Sequence, residues 1–537
     1  MAARRLLLSG PSQKLSHSKA RRSQKATVAG RWAMSTTAPN WRIERQRRDH
    51  AQLLAPFALK LPSQLGIVGA PHLKRKIRQQ VERLRRKRLR HTLKRAARAK
   101  LRRSIKQHRN LGRGGKTALL EMLRSRFRGQ NKAYWEPAEN AWVIKIPSVF
   151  SFKENWGESL DVIYSVVQIS TVKERRRLIF DHSDCVEISV GASMVLDIVT
   201  LELRREWAAS GQTSIIGGRL PTDERTRNHL MCTGLTKQLK VRGAEAPREA
   251  EARYVMTGLI SGDASTSCKL SGSSDQEKKA TELALHLDKC FRRAAGYKLT
   301  RKGLREIVRW AGELIANAEE HSGRSEWFAI SYMTDADPTA RADYAPENAE
   351  VYCCQLAIVG FGKSIYESLS DPNTPEQTRE QIETLATELS RRSLIGRALG
   401  FTKEDLTTLY ALQDGVSRFN ERPGRDSNSR GSGTITMIDA FQSLGNSVNP
   451  SFNPEMVLLS GGTRIFFDKE YRLVQDPNGR WIIAFNKEND LSKRPDRGHV
   501  HSIQGFFPGT LLSLRFFIDK RHLDRFIAPV DKRIESE

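Results

Sequence analysis

Glu313 and Asn317 stand four residues apart in GELIANAEEHSGR (312–324), with His321 and Gly323 just beyond them. On a helix that separation places two side chains on one face, one turn apart. A carboxylate so placed can orient or deprotonate a water or a hydroxyl within hydrogen-bond reach. A neutral amide oxygen one turn on can complete the oxygen shell of a hard divalent cation. The helix that must carry them is legible, since at about 100° per residue Leu304, Ile307, Val308, Ala311, Ile315 and Ala318 fall in one stripe, with Glu313, Asn317 and Glu320 nearly opposite. The same pattern describes any amphipathic helix with a solvated polar face, so the elements around it have to decide. His321 reads as a packing or capping residue and takes no chemical role.

Helical patterns cover 277–294 and 302–320, and the strand-like runs WFAISYM and VYCCQLAIVG follow. A helical stretch from 375 to about 418 leads to the polar loop ERPGRDSNSRGSG, another helix, and the strand-like runs MVLLS, TRIFFD, WIIAFN and TLLSLRFFID. Helices grouped ahead of and between antiparallel-looking strands predict an α+β sandwich.

The order E-L-I-A-N-A-E-E-H, a strand closing on VGFGKSIYESL, a polar loop closing on RGSGTITMI, and a terminal GTLLSLRFF resembles the GHKL (Bergerat-fold, histidine-kinase-like) ATPase superfamily. The resemblance covers residues 281–537 and implies helices layered on a mixed sheet, with ATP held between the helices and a mobile lid. It implies that Glu313 is the acid acting on the attacking water or hydroxyl, and that Asn317 is the Mg²⁺ ligand. Gly431 and Gly433 match the lid glycines that let backbone N–H groups approach phosphates, and Arg425 and Arg430 would neutralise phosphate charge from that lid. Thr510 matches the closing-strand threonine near the adenine. Gly362 fits a turn that admits a ligand, or a simple loop glycine. The adenine box of the family, D-x-G-x-G, is altered: its aspartate position falls on Gly360 in one register, with Ser364 at the second glycine, and on Ile358 in the other. Neither register retains the acid.

Ahead of this segment, AWVIKIPSVFSF and RRLIFDHS read as strands, ASMVLDIVTLELRREWAAS as a helix, SIIGGRLP as a strand and turn, and TRNHLMCTGLTKQL as an amphipathic helix. This α/β alternation over 131–245 resembles the STAS domain of anti-sigma-factor antagonists, with Asp181, Ser183, Ile188 and Leu196 in place. The phosphoacceptor position holds Val190, between Ser189 and Gly191, so regulation by phosphorylation there is unsupported. Gly-, Ser- and Asp-rich sequence over 246–280 reads as a linker and a domain boundary.

Charge is strongly segregated. Residues 1–130 hold 36 of the 90 Lys and Arg but four of the 60 acids, so the rest of the chain is close to neutral. Residues 72–107 lack Gly and Pro and carry only a thin apolar stripe, which predicts an extended basic rod, helical when bound. Such an arm suits phosphate contact with nucleic acid rather than base stacking, because no aromatic residue interrupts the basic run. A solvated basic tail is the plainer reading. NLGRGGKTALL falls short of a P-loop, having Asn110 where the first glycine belongs, and reads as a hinge. The first residues, Arg- and Ser-rich without an acid, fit either an organelle transit peptide or an over-extended start before Met34. Six cysteines without CxxC or CxxH spacing argue against a structural zinc site and suit a reducing compartment, with a cytoplasmic location expected. No apolar run reaches the length of a membrane span.

Together these readings predict an ATP- and Mg²⁺-binding regulatory switch, an ATPase or protein kinase if active, fused to a STAS-like interaction module and a polyanion-binding arm. Its expected partners are a nucleotide, a regulatory protein and nucleic acid through residues 1–130, with a homodimer left open and no membrane. Two readings stand beside it: a non-catalytic scaffold with a degenerate pocket, and a nucleic-acid-binding protein whose body only dimerises.

Overall fold

The structure is a computed structural model that describes residues 117–172, 177–210, 215–233, 255–256, 260–263, 275–295, 297–322, 326–335, 351–391, 400–416, 433–444, 453–519 and 527–529. The basic rod, the hinge at 110–116, most of the linker, and Arg425, Arg430 and Gly431 lie outside the described residues. Residues 106–537 form one compact unit.

Helix α1 (Ala118–Arg126) opens the described chain, followed by β1 (Tyr134–Glu136), β2 (Ala141–Lys145), β3 (Val149–Phe150) and α2 (Trp156–Ile169). Then come β4 (Arg177–Asp181), β5 (Glu187–Ile188), α3 (Val190–Ala209), β6 (Ile215–Arg219) and α4 (Glu224–Cys232). Strands β1-β2-β4-β6 make a four-stranded sheet, parallel except for the β1–β2 hairpin, and β3 pairs with β5. The second half runs β7 (Val255–Met256), β8 (Ile260–Asp263), α5 (Asp275–Ala295), β9 (Tyr297–Leu299), α6 (Arg301–Ser322), β10 (Glu326–Asp335), β11 (Val351–Phe361) and α7 (Ile365–Leu369). It continues with α8 (Glu376–Arg391), α9 (Lys403–Tyr410), α10 (Gly433–Leu444), β12 (Glu455–Phe467), the short hairpin β13 (Val474–Gln475) and β14 (Trp481–Ile482), β15 (Val500–Asp519) and β16 (Ile527–Pro529). The class is α+β, as expected. The larger sheet, β12-β15-β11-β10-β7 with β8 also on β10, is antiparallel in every described pairing, where the resemblance implies a mixed one.

Both faces of this antiparallel sheet are buried across β10, β11, β12 and β15, and the period-2 alternation of these strands divides two cores. Phe328 and Ile330 on β10, Ala357 and Val359 on β11, Val457 and Leu459 on β12, and Leu511 on β15 face a cluster shared with α1, α2 and α3. The alternate residues, Trp327, Ala329, Leu356, Ile358, Met456, Leu458, Leu512 and Leu514, face a second cluster with α5, α6, α9 and α10. Strands that meet apolar neighbours on both sides read as continuous apolar runs, as VYCCQLAIVG and TLLSLRFF do. The segments expected to be separate domains thus share one core on either side of the linker. The arm is also shorter than its charge suggests: Leu119, Leu120, Leu123 and Phe127, which fall within residues 1–130, are buried in that core. Arg124 donates to Ser170 Oγ (2.8 Å) and Glu206 Oε1 (2.6 Å), so α1 belongs to the body.

A polar seam joins the same two segments. Arg464 on β12 is buried, donates to the carbonyls of Phe152 (3.1 Å) and Lys153 (2.8 Å), and stacks 4.4 Å from the Trp156 ring. Loss of hydration lowers its pKa to about 10, and a guanidinium there still keeps its charge. Gly191 of α3 lies so close to β15 that a Cβ would stand 2.8 Å from Ser513 Cβ. Gly509 is tighter: its φ is +136°, and a Cβ would lie 2.2 Å from the Gly360 carbonyl oxygen. Gly509→Ala should therefore cost about 3 kcal/mol or more, read as a lowered urea midpoint.

His182, after β4, is buried with Nδ1 lacking a hydrogen-bond partner. Burial drives its pKa to about 4, against the raising influence of the Phe180 and Arg219 backbone and of Asp181. An unfolded histidine takes up its proton near pH 6.5, so between these values the unfolded state binds more protons and stability falls as pH falls. Complete titration would cost about 3 kcal/mol. Denaturation at pH 7 and pH 4.5 should show His182→Gln losing less stability on acidification than the parent protein.

Candidate functional site

Helix α6 carries Glu313 and Asn317, both partly buried. Among its described side chains Trp310, Ala311, Leu314 and Ile315 are the most buried. This moves the apolar stripe from the position expected. Asn317, seven residues after Trp310, returns to within about 20° of it around the axis and so lies at the margin of the stripe, not opposite it. Glu313 is a step further round. The apolar face packs on β11 through Ile358 and on α10 through Met437 and Ile438, with Ile365 of α7 at the edge of the same cluster.

Gly362 lies in the turn between β11 and α7, with φ +147°, and its N–H donates to the Pro508 carbonyl at 3.2 Å. Its own carbonyl accepts from Arg126 of α1 at 2.5 Å, and the same guanidinium pairs with Glu367. Ser364 caps α7 in a reciprocal capping box with Glu367. Thr510 stands opposite Gly360 in the sheet, and its hydroxyl meets Ser460 Oγ at 2.8 Å. Ser460 Oγ also accepts from Ile365 N–H (2.9 Å) and donates to the Gly509 carbonyl (3.2 Å). Gly362, Thr510 and the start of α7 are thus assembled at one end of β11, and Gly433 is the first residue of α10, which packs on α6. Both candidate adenine-acid positions, Gly360 and Ile358, are buried within β11.

Two carboxylates beside this turn escaped sequence reasoning. Glu404 accepts from Gly462 N–H at 2.8 Å, and its burial raises its pKa above the usual carboxylate range. Asp405 is fully buried and accepts from Thr402 N–H (2.8 Å), from Thr463 Oγ1 (2.7 Å) and from Ser502. These bonds tie α9 to β12 and β15. The cue in the sequence is the T-x-x-D capping box at the start of α9.

In the segment 131–245, Asp181 accepts from Ser183 N–H (3.1 Å) and Ser183 Oγ, and from Arg219 Nη1 (2.7 Å). Burial opposes ionisation of Asp181, but these bonds outweigh it and hold its pKa below the ordinary value. Ile188 and Leu196 are core residues. Ser189 caps α3, and Val190 is buried, beside the Gly191 contact with β15. The five described cysteines are buried, and none of them is joined in a disulfide; Cys268 lies outside the described residues.

A third group had no signal in standard metal spacings. Asp468, Glu470 and His499 place three ligand atoms within 4.8 Å of one another, where the chain leaves β12 and enters β15. His499 Nε2 is 3.1 Å from Asp468 Oδ2 and 3.9 Å from Glu470 Oε2, and Nδ1 is 3.6 Å from Asp496 Oδ2. Burial alone would lower the imidazole pKa; the Asp468 bond and the neighbouring carboxylates outweigh it and hold it above the ordinary value.

No protein-family model, no curated protein and no solved structure matches this chain. Among the described residues no helix is long and apolar enough to cross a membrane.

Proposed function

We propose that residues 281–537 bind a nucleotide with Mg²⁺ and act as a regulatory switch, with slow ATPase or serine-kinase-like activity. The observation that carries this reading is the packing of α6, bearing Glu313 and Asn317, against β11 and α10, which lead to the turn at Gly362 and start at Gly433. In this reading Asn317 supplies a neutral oxygen to Mg²⁺, and Glu313 orients or deprotonates the attacking water or hydroxyl. Gly431 and Gly433 let backbone N–H groups reach the phosphates at the start of α10. Gly362 and Thr510 border the base. Without an acid at Gly360 or Ile358 to accept the adenine amino group, selectivity for adenine is weak. The segment 131–245 serves as a STAS-like contact module for a regulatory protein, the basic arm holds nucleic acid, and the location is cytoplasmic.

Calorimetry with ATP and GTP in the presence of Mg²⁺, together with phosphate release, tests the pocket. ATP and GTP should bind within about tenfold of each other, a gap of about 1.4 kcal/mol. Asn317→Ala should weaken Mg²⁺-dependent binding, and Glu313→Ala should retain binding while losing about a hundredfold or more in turnover. Absence of binding to any nucleotide would sink this reading.

The missing adenine acid specifically favours a second reading, a scaffold whose degenerate pocket performs no chemistry. It is distinguished by nucleotide binding without turnover that Glu313→Ala leaves unchanged.

For the arm, α1 belongs to the body, so the informative truncation removes residues 1–105. The full chain should bind DNA or RNA with affinity falling steeply as salt rises, and the truncated chain should lose most of that binding and of its salt slope. Undiminished binding by the truncated chain would refute the arm's role.

A further inference from the structure

We propose that Asp468, Glu470 and His499 form a binding site for one divalent transition-metal ion, independent of the nucleotide pocket, at the junction where the 468–499 connection leaves β12 and returns to β15. Three observations support it. The first is reach. Bonds of about 2.1 Å set neighbouring ligand atoms roughly 3.0 Å apart in octahedral and 3.4 Å apart in tetrahedral geometry. Nε2 of His499 and Oδ2 of Asp468 stand 3.1 Å apart, and Glu470 Oε2 is 3.9 Å from Nε2. Glu470 is largely exposed, so a side-chain rotation closes the remaining gap.

The second is preparation of the ligands. Oδ1 of Asp468 is engaged by Glu470 N–H at 2.7 Å, which leaves Oδ2 directed at the imidazole. The His499 ring is held between Phe466, stacked at 5.8 Å, and the edge of Tyr471 at 4.7 Å. The third is an unsatisfied atom. His499 is 6% exposed, yet its Nδ1 has no hydrogen-bond partner. That atom lies 3.6 Å from Asp496 Oδ2, and Asp496 is itself fixed by Gly498 N–H (2.7 Å) and the Tyr471 hydroxyl (3.1 Å). A histidine that ligates a metal through one nitrogen directs the N–H of the other at a carboxylate, which orients the ring and sets its tautomer. Metal on Nε2 displaces any proton there to solvent and leaves the ring proton on Nδ1, facing Asp496. Asp496 is therefore a positioning residue, not a ligand.

One imidazole with two carboxylates suits zinc or manganese better than Mg²⁺ or Ca²⁺, which prefer oxygen alone. Three protein ligands leave a coordination position for water or another ligand.

The full-length protein, stripped with chelator and titrated with Zn²⁺ by calorimetry, with and without excess Mg²⁺, tests the site. The result expected is one Zn²⁺ per chain, not displaced by Mg²⁺, with affinity at least tenfold weaker in Glu470→Gln. The exposed Glu470 makes this variant neutral to folding, which circular dichroism and thermal melting will verify. No Zn²⁺ uptake by the parent protein, or uptake that Glu470→Gln weakens by less than tenfold, overturns the proposal. Either result leaves the nucleotide reading untouched, because neither measurement involves nucleotide.

Discussion

The antiparallel sheet formed by β10, β11, β12 and β15 is buried on both faces, and the rest of the body depends on that constraint. An apolar run with inward residues on both sides needs two covering layers, since leaving either face wet would expose roughly half of the strands' apolar area. The chain supplies one layer from α5, α6 and α10 and the other from α1, α2 and α3. Residues on either side of the linker therefore fold on the same sheet. The polar seam through Arg464 and the ion pair of Lys153 with Glu455 at 2.7 Å fix their relative position, because a buried guanidinium tolerates only the geometry that meets its hydrogen bonds.

This constraint explains what can be read in the sequence. Strongly patterned elements such as α6 and the apolar runs of β11 and β15 are legible because period and burial agree. Helix α2 is not. WGESLDVIYSVVQI is rich in β-branched residues and apolar on most sides, a composition that resembles a strand, and it is helical because it fills the space between two sheets. MVLLS and TRIFFD read as two strands broken by GG, yet Ser460, Gly461 and Thr463 form a bulge within one strand, β12. Charge alone places the boundary of the arm too late, since it cannot distinguish Arg124 and Arg126, paired with Glu206 and Glu367, from solvated arginines.

Legibility of the sites follows the same division. Glu313 and Asn317 lie within one helical turn, so a local pattern can find them, although the rotation of the stripe toward Trp310 depends on what α6 meets in the fold. Asp468 and His499 come from opposite ends of a long connecting segment and meet only because β12 and β15 are paired; Phe466 N–H donates to the His499 carbonyl at 2.7 Å. No spacing rule covers ligands brought together by strand pairing across such an interval.

Under the proposed reading, the shared core also limits how a switch in this chain would work. In an antagonist and kinase pair that associate and separate, the contact surfaces are solvated in one state. Here α2 and α3 lie in the same cluster as β10, β11, β12 and β15, so separating them would expose a buried core and leave Arg464 without its partners. Release of the segment 131–245 is thus far costlier than a small displacement of packed elements. Such a displacement has a short route available, since Arg126 on α1 holds both the Gly362 carbonyl and Glu367 at the start of α7. Under the nucleotide reading, movement of the glycine turn would act on α1, which rests on α2 and α3. Information would then pass between the segments by a shift within one folded body.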